Sequence, residues 1–143
     1  MNNFIDVLPQ HKGVAILINK DYKPNFTDLQ VFEITRGIWP KGMKTISGDS
    51  KYAYATFAGK VVEVYEVYCW VPAGTQEYFT RILNPIRLAT CKWEFVGRKA
   101  NKEIRELYVG KYIKKIRSFG NSFVPVGYEI FDLCPKRATG LEK

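Results

Sequence analysis

The strongest constraint on the fold is a pair of strand patterns joined by a two-residue turn. Residues 52–57 (YAYATF) place alternate side chains on opposite faces, as a β-strand does. Residues 60–71 (KVVEVYEVYCWV) form the longest strand pattern in the chain, and Pro72 follows it. The Ala58-Gly59 pair between them is a tight-turn signal, so the two segments are predicted to form a β-hairpin.

Three further segments are typical of strands. The apolar run 14–18 (VAILI) has strand length and lies between Gly13 and Asn19. Residues 91–97 (CKWEFVG) alternate, and residues 123–131 (FVPVGYEIF) read as a last strand. In that last strand a proline at position 125 indicates an edge or a bulge, because proline cannot donate to a sheet ladder.

Two segments predict short helices with recognisable ends. Thr27 is an N-cap residue for a helix over 28–36, and Gly37 is expected to end it. Asn101 caps a second helix over 102–108. Hairpin-linked strands with few helices predict an α+β fold, in which a mostly antiparallel sheet is curled into a small barrel with two or three short helices.

The 143 residues predict a single domain over 1–143, with flexible ends at 1–12 and 135–143. No stretch approaches 18 apolar residues, and the N-terminus lacks a basic region followed by an apolar run. We therefore expect a cytoplasmic protein with no membrane partner.

The cysteine pattern argues against a disulfide framework. There are three cysteines and no CxxC motif, which favours a reducing compartment. Cys69 and Cys91 lie in strand-like segments and are expected to be small buried residues.

Familiar catalytic and metal-binding patterns are missing from the sequence. The single histidine, His11, cannot build a zinc site of the His-x-x-x-His type, and we expect it to be exposed near the chain start. There is no GxxxxGK[ST] or GxGxxG phosphate loop and no GxSxG motif. We predict no cofactor, no metal and no catalytic set. Glu66 is the one acid expected to be partly buried, with an Arg or Lys partner.

Positive charge is concentrated in the second half of the chain. The net charge is +8, and residues 72–143 carry 14 Lys and Arg against 7 Asp and Glu. Aromatic side chains are interleaved with this charge, a combination that favours nucleic-acid binding. We call the predicted nucleic-acid-binding residues the basic segment. They are Arg98, Lys99, Lys102, Arg105, Lys111, Lys114, Lys115 and Arg117.

A second set of residues is typical of a ligand pocket. Trp39 beside Arg36 follows the first helix, and Trp70 lies at the end of the longest strand, where a barrel rim admits ligands. Asn121 lies in a Gly-Asn turn after the basic run, whose amides could face a phosphate. Each of these residues is also explained by packing or by a turn alone, and both interpretations stay open.

Several motifs together resemble a small bacterial domain found alone or with GIY-YIG nuclease proteins. They are TRGIW at 35–39, KYAYA at 51–55, GKVVEVYEV at 59–67, WVPAG at 70–74, WEFVG at 93–97 and YVGK at 108–111. The strand order is also similar to the PUA-like superfamily (EVE, YTH and ASCH domains), which implies recognition of a modified base at a barrel rim. The resemblance implies Trp39 and Trp70 as pocket walls and Arg36 and Lys51 as polar contacts, and Tyr54 completes the candidate ligand-binding set.

The leading hypothesis is a non-catalytic module that binds DNA or RNA, with a modified base as one ligand. The alternative is a pocket for a free nucleotide-like anion. A third hypothesis is an enzyme that uses Glu66 or Asp49, and a fourth is a protein-interaction domain with a large exposed apolar patch. The sequence leaves the oligomeric state open.

Overall fold

The computed structural model describes residues 6–7, 10–40, 51–88, 91–113 and 123–126. Its strands are β1 (Asp6–Val7), β2 (Gly13–Leu17), β3 (Gly37–Trp39), β4 (Tyr52–Phe57), β5 (Lys60–Pro72), β6 (Trp93–Lys99), β7 (Tyr112–Ile113) and β8 (Phe123–Val126). Its helices are α1 (Asp28–Arg36), the single turn α2 (Pro85–Leu88) and α3 (Lys102–Tyr108).

The described strands form one curled sheet, a half-barrel with α1 and α3 packed against it. Strand β5 is central and pairs antiparallel with β4, β6 and β7. The α+β prediction is confirmed, but the sheet is mixed, because β2 pairs with β4 in parallel and β1 pairs with β7 in parallel. The β2–β4 connection contains α1, and such a long crossover returns the chain in the same direction, which a hairpin cannot do.

The β4–β5 hairpin is confirmed with the predicted turn. Ala58 and Gly59 both have positive φ values, 53° and 84°, the backbone shape that suits a tight two-residue turn between twisted strands. Alanine reaches this conformation at a steric cost. The Ala58 amide donates to the Asn19 side chain at 3.0 Å, and this bond helps to hold the turn.

Helix α1 begins and ends where the sequence predicts. The Thr27 hydroxyl accepts from the Gln30 amide, and the Gln30 side chain accepts from the Thr27 amide, which completes a capping box. Gly37 ends the helix in extended backbone, with φ −168°, and the chain continues directly into β3. Trp39, which follows the helix as predicted, therefore lies in a strand.

The sheet separates two groups of buried side chains. One group packs with α1 and comprises Val14, Ile16, Ile18, Val31, Ile34, Ala53, Ala55, Tyr65 and Phe95. The other packs with α3 and comprises Ala15, Tyr54, Val61, Val64, Ala100, Tyr108 and Ile113. Alternate residues of β2 and β4 enter opposite groups, as the pleat of a sheet requires.

Two expectations about single side chains are wrong. His11 is half-buried, with Nδ1 2.6 Å from the Tyr108 hydroxyl, because Gln10 and His11 pack against this residue of α3. Cys69 and Cys91 are exposed. A register shift between Val67 and Cys69 interrupts the strict alternation of β5 there. Within the described ranges, no helix has the length and apolar character needed to cross a membrane.

Candidate binding cleft beside the 73–84 loop

Buried Glu94 holds the first part of the loop that joins β5 to α2, residues 73–84. Its carboxylate accepts from the backbone amides of Gly74 (2.9 Å) and Gln76 (2.8 Å). It also accepts from the Gln76 side chain (3.0 Å) and from the Tyr78 hydroxyl (2.9 Å). Burial and the neighbouring carboxylate raise the pKa of Tyr78, so its hydroxyl remains a donor.

Buried Glu33, on α1, holds the second part of the same loop. Its carboxylate accepts from the Phe79 amide at 2.7 Å and from the Thr80 amide and hydroxyl at 2.8 and 2.6 Å. Burial acts to raise the pKa of Glu33, but these hydrogen bonds and the charge of Arg36 outweigh it and hold the pKa below its ordinary value. Glu33 therefore stays ionised inside the protein.

Arg36, the last residue of α1, packs against the 73–84 loop and helps to hold it. Its guanidinium lies over the Tyr78 ring, 4.2 Å from the centroid, and over the Phe32 ring at 5.2 Å. Its Nη2 donates to the Glu77 carbonyl. The side chain is 7% exposed, so the predicted contact with a ligand would need the loop to move.

Arg81 and Gly37 complete the attachment of the loop to α1. Arg81 Nη1 donates to the carbonyls of Glu33 (2.9 Å) and Gly37 (2.7 Å), at the end of the helix. A Cβ on Gly37 would lie 2.4 Å from the Tyr78 hydroxyl oxygen and 2.9 Å from Cβ of Glu94. Only glycine permits this close approach of the helix end to the loop.

A cleft of about 380 Å³ lies between α1 and the end of this loop. We call it the basic cleft; it is lined by Lys20, Asp21, Lys23, Phe26, Gln30, Ile34, Thr80 and Arg81. Lys20 and Lys23 are exposed and make no ion pair with any described residue. The cleft thus combines three cations with one carboxylate and an aromatic ring.

The loop and the helix that follows it present large apolar side chains to solvent. Phe79 is 72% exposed, Ile82 is 99% exposed and Ile86 is 77% exposed. The backbone of Phe79 is held by Glu33, and the next residue, Thr80, lines the basic cleft. An exposed aromatic ring on a fixed backbone is a suitable surface for stacking a base.

The two tryptophans predicted as pocket walls pack on the α1 face of the sheet. Trp39 is half-buried, and its Nε1 donates to the Thr35 carbonyl at 2.8 Å. Trp70 is half-buried with its ring 5.5 Å from that of Phe95, edge to face. Both belong to the shell of the α1 core.

The other predicted ligand residues lie elsewhere. Tyr54 is fully buried on the α3 face and donates to the His11 carbonyl at 2.7 Å. Lys51 is exposed at the start of β4, with its backbone bonded to Lys12 and Val67. Asn121 lies outside the described residues. Tyr54 is therefore separated by the sheet from Trp39 and Trp70, and the structure does not gather the predicted set at one place.

The first cations of the predicted basic segment are paired with acids of the same chain, at the protein surface. Arg98 Nε lies 3.3 Å from Glu66, the acid for which a basic partner was predicted. Glu66 is half-buried, but the expectation that it is the one such acid is wrong, because Glu33, Glu63 and Glu94 are more deeply buried. Lys99 Nζ lies 2.6 Å from Asp28 and 3.6 Å from Glu63. These pairs lower the positive charge that the segment offers to a partner.

The described cations in and just after α3 also have acidic or carbonyl partners. Arg105 makes a two-point contact with buried Glu63, at 2.7 and 2.9 Å, which raises the pKa of Arg105. Lys102 lies 3.8 Å from Glu106, one helical turn away, and Lys111 Nζ lies 3.5 Å from the Glu106 carbonyl. Lys114, Lys115 and Arg117 lie outside the described residues.

Sequence reasoning missed the residues that build the basic cleft. Lys20 and Lys23 lie in a short turn before α1, and nothing in their spacing distinguishes them from ordinary surface lysines. Glu33 gives a weak signal, because it lies between the apolar helix positions Val31 and Ile34. Glu94 gives a similar signal in the middle of a strand pattern.

The described residues contain no group of three or more His, Cys, Asp or Glu side chains placed to hold a metal ion. The arrangement around Glu33 and Glu94 therefore organises a loop and a cleft by hydrogen bonds. Comparison of the chain with protein families, with curated proteins and with solved structures finds no match, so the function rests on this geometry.

Proposed function

We propose that the protein is a non-catalytic module that binds single-stranded nucleic acid, with phosphate groups in the basic cleft and a base against Phe79. The observation that carries this proposal is a cleft lined by an arginine and by two lysines that have no described acidic partner, with exposed Phe79 next in sequence to the lining residue Thr80. Cations supply most of the affinity for a phosphate backbone, and aromatic rings add sequence-tolerant stacking.

The cleft is organised before any ligand arrives. Arg81 is fixed by two backbone carbonyls, and the backbone of Phe79 and Thr80 is fixed by Glu33. A ligand would therefore order little more than the lysine side chains Lys20 and Lys23. Such preorganisation reduces the entropic cost of binding.

The resemblance to the PUA-like superfamily agrees with this class of ligand, and we propose a PUA-like relationship for the curled α+β sheet. A modified base at a barrel rim remains part of that proposal. The basic segment is a weaker phosphate site than its composition indicates, because five of its cations have described acidic or carbonyl partners.

The test is a fluorescence-anisotropy titration of labelled single-stranded and duplex DNA and RNA over a salt series. The variant Lys20→Gln/Lys23→Gln removes the two cations of the cleft that have no described acidic partner. Its matched control, Lys102→Gln/Lys111→Gln, removes two cations of the basic segment. For a single strand each lost phosphate contact lowers the log K against log salt slope by about 0.7, so we expect a fall of about 1.4 in the cleft variant only.

The outcomes separate the competing functions. Equal affinity of the wild type and the cleft variant would contradict the phosphate site, and a larger loss in the control would return the site to the basic segment. A mononucleotide that binds through Lys20 and Lys23 while polymers do not would replace this proposal with the free-nucleotide pocket. Phe79→Ala tests stacking, with an expected affinity loss of about 1–3 kcal/mol.

A further inference from the structure

A second cleft lies on the other flank of α1, between its first two turns and strand β6. Its volume is about 370 Å³, near the lower end of the range for small-molecule pockets. Leu29 and Phe32 line it from the helix, and Tyr65 and Gly97 line it from the sheet. We call it the tyrosine cleft.

Tyr65 carries the unusual feature of this cleft. The residue is 1% exposed, and its hydroxyl has no hydrogen-bond partner among the described residues. Burial, with the charge of Glu63 and Asp28, raises its pKa, so the hydroxyl keeps its proton and needs an acceptor. Buried donors in native proteins nearly always have a partner. The Tyr65 hydroxyl oxygen is itself closed off from solvent, so a ligand reaches it only where the wall of the cleft opens.

The charges around the hydroxyl are balanced. Asp28 lies 2.6 Å from Lys99, and Glu63 lies 3.6 Å from Lys99 and 2.7 Å from Arg105. Two carboxylates and two cations are thus already paired with one another. A charged ligand would place an uncompensated charge beside them at a desolvation cost, whereas a neutral ligand would not.

We infer that the tyrosine cleft binds a small, uncharged, planar ring compound that accepts a hydrogen bond from Tyr65 through a carbonyl or ring nitrogen. The ring packs against Phe32, whose own ring lies 5.2 Å from that of Tyr65. Asp28 and Lys99 also line the cleft, and because the Asp28 side chain is 81% exposed, their ion pair opens at little cost.

This site is independent of the proposed nucleic-acid function, because it shares no lining residue with the basic cleft. The two can therefore be tested separately on the same full-length protein. A neutral ligand binds with little dependence on salt, which distinguishes it from a phosphate polymer.

The experiment is an NMR titration of the protein with nicotinamide, a planar neutral amide, and with nicotinate, the same ring with a charged carboxylate. We expect nicotinamide to shift signals of Phe32, Tyr65 and Gly97, and nicotinate to bind about tenfold more weakly. Tyr65→Phe removes only the hydroxyl and should weaken nicotinamide about tenfold. The matched control, Tyr68→Phe, removes an exposed hydroxyl from the same strand and should change nothing.

Thermal unfolding completes the test, since Tyr65→Phe removes no described hydrogen bond and should leave Tm unchanged or raised. Leu29→Trp fills the cleft from a largely exposed position and should abolish nicotinamide binding in a folded protein. Absence of nicotinamide shifts up to its solubility limit, full binding by Tyr65→Phe, or full binding by Leu29→Trp would each overturn the inference. Loss of oligonucleotide binding alone would leave it standing.

Discussion

The acids beside the two ends of α1 interact with different kinds of partner. Near the C-terminal end of α1, Glu33 of the helix and Glu94 of β6 accept hydrogen bonds mainly from the backbone of the 73–84 loop. Near the N-terminal end of α1, Asp28 and Glu63 are paired with the side chains of Lys99 and Arg105. Beside the first arrangement, Lys20 and Lys23 have no described acidic partner, whereas the second pairs Lys99 and Arg105 with acids.

The comparison shows that a count of charges does not locate an anion site. The basic segment has the higher density of Lys and Arg, yet its described members face acids from α1, β5 and α3. The basic cleft has only three cations, but Lys20 and Lys23 have no described acidic partner. A partner's phosphate interacts with the charge that remains after internal pairing.

Removal of the Glu94 carboxylate should destabilise the 73–84 loop more than any other change considered. In Glu94→Ala, the amides of Gly74 and Gln76 and the Tyr78 hydroxyl lose the buried carboxylate that accepts their part-buried hydrogen bonds. We expect a loss of about 4 kcal/mol in the free energy of unfolding, measured in urea. Amide hydrogen exchange should rise at Gly74 and Gln76 in Glu94→Gln, which keeps the side-chain volume. Unchanged exchange there would contradict the assigned role.

Glu33 gives the second largest effect and a pH dependence. Its pKa is lower in the folded protein than in the unfolded chain, so the folded state binds the proton less readily. The stabilisation is therefore present above the unfolded pKa and is lost as the pH falls through the folded pKa. Glu33→Gln should lower the free energy of unfolding by about 2 kcal/mol at neutral pH.

The measurement is urea unfolding of the wild type and Glu33→Gln between neutral and acidic pH. The difference between the two proteins should shrink as the solution is acidified, because the wild type loses the ionised group that the variant lacks. A difference that stays constant with pH would show that the hydrogen bonds, and not the charge, carry the effect. Oligonucleotide affinity at the basic cleft should fall in parallel in Glu33→Gln, since the backbone of Thr80, which lines the cleft, is held by Glu33.

The sequence predicts well whatever depends on neighbours in the chain. Thr27 and Asn101 cap their helices as expected, and the Ala58-Gly59 turn joins the expected strands, because caps and turns act over a few residues. The parallel β2–β4 pair was not predicted, since it depends on where a crossover returns the chain.

The candidate site depends almost entirely on distant contacts, which explains why it was missed. Glu33 meets Thr80 across 47 positions, and Lys99 meets Asp28 across 71. The sequence around Lys20 and Lys23 does not show that they lack a described acidic partner. The sequence around Arg98 does not show that it pairs with Glu66. Residue type and spacing therefore predict a class of partner, which stays a prediction, and the fold is needed to show which described cations are paired with acids.

The exposed ion pair of Asp28 and Lys99, at the N-terminal end of α1, should contribute least to the free energy of unfolding. Hydrogen bonding and the charge of Lys99 lower the pKa of Asp28, but the carboxylate is largely in water, where screening weakens its attraction. We expect Asp28→Asn to change the free energy of unfolding by less than about 1 kcal/mol, including its favourable place in the first helical turn. Half of that change or more should vanish in high salt, whereas the Glu94→Ala loss should persist. If Asp28→Asn were as damaging as Glu33→Gln, the contrast between the two ends would fail, because an exposed ion pair would then match buried backbone hydrogen bonds in strength.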